Sequence, residues 1–182
     1  MSEGAVPVLE TPRLCLRRID IRDAGFVLEL VNDPGWLRFI GDRNIRDLEA
    51  ARRYIAEGPV AMYREYGFGL YVAELKSTAT PIGMCGLLRR DGLDDVDIGF
   101  ALLERFRGHG YAREAARAVM GYALGALGLP RVVAITAPDN RPSQRILEDL
   151  GLSFEGMIRL CDGAPEIMLY SPGPAAGEPD GP

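Results

Sequence analysis

The order of apolar and polar residues divides the chain into short, distinct elements. Leu14, Leu16 and Ile19 punctuate residues 13–19, which this pattern predicts as a strand. Asp20 or Asp23 is placed to cap a following helix, in which Phe26, Val27, Leu30 and Val31 recur at helical spacing. Asn32-Asp33-Pro34-Gly35 is expected to stop it. Residues 47–66 form a second helical stretch, and Gly58-Pro59 is expected to split it in two, because proline lacks the amide hydrogen and crowds the preceding turn. Beyond it the pattern changes. Residues 68–75, 82–88 and 96–102 are rich in branched and aromatic side chains and are joined by turn clusters at 76–81 and 89–95, which predicts an antiparallel meander. A long helix is predicted over 111–127, closed by Gly128 and Pro130. The wholly apolar run 132–136 has the pattern of a buried strand. Residues 138–141 lead into a helix ending near Leu150-Gly151, and strands over 154–160 and 166–171 follow, joined at Asp162-Gly163. With no repeat and no second core, residues 1–171 are expected to be a single domain. Residues 172–182, almost all Pro, Gly, Ala and acid, are expected to be a disordered tail.

Composition narrows the function class. Of 182 residues, 47% are hydrophobic and 26% charged, a globular balance. A net charge of −5 is not the footprint of a nucleic-acid binder and leans toward a cationic acceptor. Cys15, Cys85 and Cys161 are odd in number and far apart, so neither a disulfide framework nor a close metal pair is suggested, and a reduced, cytoplasmic protein is expected. The N-terminus lacks a basic stretch followed by an apolar one, and no apolar run is long enough to span a bilayer. With a single histidine, a usual zinc set is not available, and no metal is expected.

The chemistry concentrates in Arg107-Gly108-His109-Gly110-Tyr111-Ala112, between a strand and a long helix. Two glycines and a small alanine let backbone approach a ligand, and a helix start supplies unpaired N–H donors and a positive dipole end. Together these can cradle a pyrophosphate, strengthened by Arg105, Arg107 and Arg113. No Gly-Lys-Ser/Thr ending is present, and the three-glycine dinucleotide spacing is absent. Taken alone, these residues also permit a mere tight turn at a helix start.

Arg107-x-x-Gly110-x-Ala112, in this order of elements, resembles the acetyl-coenzyme A loop of the GNAT superfamily of N-acetyltransferases. Asp139-Asn140-Arg141-Pro142-Ser143 followed by 146–152 is similar to that family's Asn-x-x-Ser helix. Ile98-Gly99-Phe100 is similar to its central strand. Residues 9–17 resemble the opening of the branch containing ribosomal-protein N-terminal acetyltransferases. The resemblance implies an α/β (α+β) fold: a mixed, mostly antiparallel, twisted sheet of about six to seven strands with helices on both faces. It implies acetyl-CoA as co-substrate, with pantetheine in a gap between strands 96–102 and 132–136. Backbone groups of Phe100, Ala101 and Leu102 would contact the pantetheine amides. Residues Arg107, Gly108, His109, Gly110, Tyr111 and Ala112 would hold the pyrophosphate, aided by Arg105, and Asn140 and Ser143 would reach the pantetheine or sulfur end.

Acyl transfer requires a deprotonated amine, a polarised carbonyl and a stabilised thiolate. Asp97 stands where many members carry Glu and is the base candidate, acting through a bridging water; the alternative is a solvated strand-edge carboxylate. Leu147 stands where many members carry Tyr and cannot donate a proton. Ser143 is the remaining hydroxyl, a donor to sulfur or a group that stabilises the helix start or contacts pantetheine. His109, inside the phosphate loop, is expected to face solvent or phosphate rather than catalyse. Trp36 is the candidate acceptor-wall residue, whereas Tyr63 and Tyr66 also fit simple helix packing. Three readings stay open: acetylation of a protein N-terminus or other protein amine, acetylation of a small amine, and a non-catalytic CoA-binding module. A monomer and a homodimer are equally compatible, and no nucleic-acid or membrane partner is expected.

Overall fold

The structure is a computed structural model and describes residues 7–173. Its strands are β1 (Pro7–Glu10), β2 (Leu14–Arg18), β3 (Leu70–Leu75), β4 (Thr80–Leu88), β5 (Val96–Leu102), β6 (Val132–Thr136), β7 (Leu152–Ile158) and β8 (Ile167–Pro172). They join in the order β1-β2-β3-β4-β5-β6-β8-β7, antiparallel except where β5 meets β6. Leu70–Ala73 are consecutively buried, and so are residues 82–87. Successive strand residues point to opposite faces, so both faces of the central sheet are covered.

The sheet has eight strands, one more than the pattern predicts, because β1 was not anticipated. It is a short edge strand opening on a proline, a position where the missing N–H costs no ladder bond. The Thr11 hydroxyl and the Arg13 backbone N–H both donate to Glu114, at 2.6 and 2.9 Å, tying this hairpin to the first turn of the long helix. The tail expected from residue 172 begins within β8, and residues 174–182 lie outside the described residues.

The helices are α1 (Ala24–Val31), α2 (Pro34–Phe39), α3 (Leu48–Ile55), α4 (Ala61–Tyr66), α5 (Tyr111–Leu124) and α6 (Arg141–Asp149). Asp20 and Asp23 share the work at the first helical turn through reciprocal side-chain-to-backbone bonds. Residues 32–35 do more than stop α1. Asp33 caps α2, accepting the Gly35 N–H at 2.9 Å, and Pro34 occupies the first turn, where its missing N–H is harmless. Gly58-Pro59 separates residues 47–66 into two short helices, α3 and α4, as expected. Ala56–Val60 widen into a π turn with Pro59 buried inside it, and the chain runs on into α4. Tyr63 belongs to the core: its hydroxyl donates to the Leu70 carbonyl and accepts the Ile19 N–H.

Candidate active site

β5 and β6 pair only at Val96–Val132 and Asp97–Val133. Beyond that register β6 continues along β8, from Ala134 to Thr136, and the strands part. The β6-facing edge of residues 98–102 is thereby left without a strand partner, and a cleft of about 530 Å³ opens beside it. At its far end, Leu103 and a 3₁₀ turn at Glu104–Phe106 lead into the glycine loop. Gly108 and Gly110 both have φ of +80°, where an L side chain is strained. Gly110 starts α5 with no side-chain cap, so first-turn N–H donors remain free to meet an anion.

Of the residues named from the sequence as coenzyme contacts, Phe100, Ala101, Leu102, Arg107, Gly108, Gly110, Ala112, Asn140 and Ser143 line this cleft. The sequence also nominated Arg105, His109 and Tyr111, which stand outside the lining. Arg105 pairs with Glu29, the exposed His109 ring lies 5.8 Å from that of Tyr111, and the Arg13 guanidinium covers the Tyr111 ring at 4.5 Å. Nor are the guanidiniums of Arg107 and Arg113 uncommitted: they pair with Asp33 and Asp149. The cradle is therefore built mainly from backbone.

A second, smaller compartment of about 130 Å³ shares Trp36, Phe39, Ile40, Phe100, Ala101, Asn140 and Ser143 with the first. Asp97 lines it, fully buried rather than solvated at a strand edge. Arg90 Nε donates to both of its carboxylate oxygens at 3.0 Å. Burial pushes the Asp97 carboxyl above its usual range, with Arg90 opposing. Tyr54, Arg43 and Thr136 add to the polar lining, and Leu147 contributes an apolar wall. The Trp36 indole N–H is buried without a partner among the described residues. Asn140 caps α6, its side-chain oxygen accepting the Ser143 N–H at 3.3 Å; the Ser143 hydroxyl makes no hydrogen bond among the described residues.

A profile of the acetyltransferase (GNAT) domain matches residues 13–153. The chain belongs to the GNAT acetyltransferase family. YoaA of Bacillus subtilis (strain 168), an uncharacterised N-acetyltransferase, is 30% identical over 156 residues, covering 84% of this chain and 86% of its own. An acetyltransferase structure from Agrobacterium tumefaciens superposes with a TM-score of 0.78 at 26% identity, covering 96% of this chain and 98% of that one. RimL, a ribosomal L7/L12 alpha-N-protein acetyltransferase in complex with coenzyme A, shares the fold at 17% identity, with a TM-score of 0.78 over 91% of this chain and 97% of its own. The protein is an acetyl-CoA-dependent N-acetyltransferase of this family, and its cleft suits the co-substrate. Uncapped α5 donors and positive-φ glycines match a pyrophosphate, and the unpaired β5 edge matches amide groups.

Four residues in or beside the two compartments escaped the sequence reading: Asp33, Arg43, Tyr54 and Arg90. In the sequence Asp33 reads only as part of a helix stop, yet its carboxylate joins α2 to Arg107 and to the Glu104 N–H. Its position before Pro34 was the usable signal. Arg43, Tyr54 and Arg90 carry no local motif; the fold brings them to Asp97 from a loop, a helix and a turn.

Proposed function

We propose that the protein transfers the acetyl group of acetyl-CoA to a primary amine by direct attack in a ternary complex. The reading is carried by the two compartments sharing one wall. The long cleft suits the coenzyme, and the small one suits the end of an acceptor reaching the same junction. Holding both reactants there supplies several kcal/mol through orientation alone, within the roughly 7–11 kcal/mol available to well-placed reactants.

The new N–C bond forms as the C–S bond breaks; the coenzyme A thiolate that leaves becomes the thiol by taking a proton from water, which balances the proton the amine nitrogen gives up. Asp97 receives the acceptor's proton through a bridging water, and its raised carboxyl pKa makes it a better base than an exposed aspartate. The unpaired β5 edge at Phe100–Leu102 orients the pantetheine arm. The Ser143 hydroxyl, open at the junction, contacts that arm or the departing sulfur. Trp36 walls the acceptor. The acceptor is the terminal amine of a protein or a small amine, since a compartment of about 130 Å³ takes one residue-sized group in either case. Free thiol release from acetyl-CoA across amines and peptides tests the reading. Release with one class identifies the acceptor type; coenzyme binding without release from any amine would sink the transferase reading in favour of a binding module.

A further inference from the structure

The charged lining of the small compartment consists of Arg43, Arg90 and Asp97. Asp97 balances Arg90 through the 3.0 Å pair. Arg43 makes no ion pair among the described residues, so the compartment carries an excess positive charge in a chain whose net charge is −5. Tyr54 stands in the field of both guanidiniums: burial raises its phenol pKa, and Arg43 and Arg90 pull it back. Its hydroxyl makes no hydrogen bond among the described residues, and the Trp36 indole N–H is likewise unpartnered. Arg43 is exposed and Tyr54 half-buried, so these donors stay available to an entering ligand, while the buried Trp36 N–H lacks the partner buried polar groups normally have; the set fits a ligand that brings acceptor oxygens.

The backbone on which Arg43 stands is held in place. The Asn44 N–H donates to Asp42 at 2.7 Å, Asn44 takes a φ of +54°, and Arg46 bridges Asp42 and Asn32. The loop thus presents Arg43 from a pinned turn.

We propose that the acceptor amine carries a carboxylate, which Arg43 and the Tyr54 hydroxyl bind while the amine faces Asp97. This deepens the transferase reading and rests on it. A simple cation such as a polyamine is disfavoured, because the excess positive charge repels it. For a zwitterion the same charge is attractive at the carboxylate and favours loss of the ammonium proton at the reacting end.

Matched acceptors test this: free amino acids against their α-carboxamides, and peptides beginning with Asp or Glu against those beginning with Asn or Gln. Binding to the coenzyme A-loaded protein is measured by calorimetry, and turnover by thiol release. The carboxylate member of one pair is expected to bind about tenfold or more tightly, and that pair identifies a free amino acid or a peptide terminus as the source. Arg43→Gln is expected to bring the ratio near one, and Arg43→Lys to restore part of it, with coenzyme affinity as the check on folding. Equal binding within every pair, no binding at all, or a ratio unchanged in Arg43→Gln would overturn the proposal. Carboxylate-selective binding without thiol release would uphold the subsite while sinking the transferase reading, so the two failures are distinguishable.

Discussion

At the scale of single residues, the environment of Asp97 decides what it can do. An aspartate on an open strand edge stays ionised and weakly basic; this one is enclosed, and the pair with Arg90 is the main offset to the cost. Activity through a carboxylate base needs the ionised form. It should therefore rise with pH through the raised Asp97 pKa, above the ordinary value of about 4. Arg90→Gln removes the opposing influence, so the acid limb of the pH–rate profile is expected to move to higher pH. Asp97→Asn should abolish that limb and lower turnover on the order of 10²-fold, measured as kcat at saturating coenzyme. Ser143→Ala separates two roles. A large fall in kcat with unchanged coenzyme affinity marks a hydroxyl acting on sulfur, and unchanged kcat dismisses that role.

At the scale of elements, the Asp33–Arg107 pair joins helix α2, which carries Trp36, to the glycine loop. Burial by itself would raise the Asp33 carboxyl, but the bonds from the Glu104 N–H, Arg107 and the Gly35 N–H outweigh it and hold the group below its usual range. A carboxyl whose folded pKa is lowered stabilises the protein above its unfolded value, about 4. That contribution is lost as pH falls through the folded value. Asp33→Ala is expected to cost about 1–2 kcal/mol at neutral pH, on the scale of a lost helix cap, and to flatten the fall in melting temperature below about pH 4. Thermal denaturation across pH measures both. In the loop, Gly110→Val forces a branched side chain to a φ of +80° at the helix start, and coenzyme affinity is expected to fall at least about tenfold by equilibrium titration.

Across the whole molecule, the cleft exists because a continuous sheet comes apart along one seam. Coenzyme filling that seam binds only the folded state. Ligand at about 100 times its Kd is therefore expected to add about 2.7 kcal/mol, a rise of roughly 5–10 °C in Tm. Hydrogen exchange should slow at residues 107–112 and along β6. A protein that melts at the same temperature with and without coenzyme would contradict a site in the seam.

Most of this architecture was legible in the chain, because local rules dictate it. Runs rich in branched and aromatic residues between turn clusters made β3, β4 and β5 readable, and the glycines before Tyr111 marked a loop that lets backbone approach a ligand. The proline-led edge strand β1 was not readable, since too few residues carried its pattern. Gly58-Pro59 marked the break between α3 and α4, but not that the break takes the form of a π turn. The sequence by itself determined the family, the order of elements and the loop that suits a pyrophosphate, since each depends on neighbours within a few residues. Tertiary structure alone decided that Asp97 is buried, that Arg90 pairs with it and that Arg43 does not. Charge pairing and desolvation depend on which distant segments the fold brings together, and no local spacing encodes that.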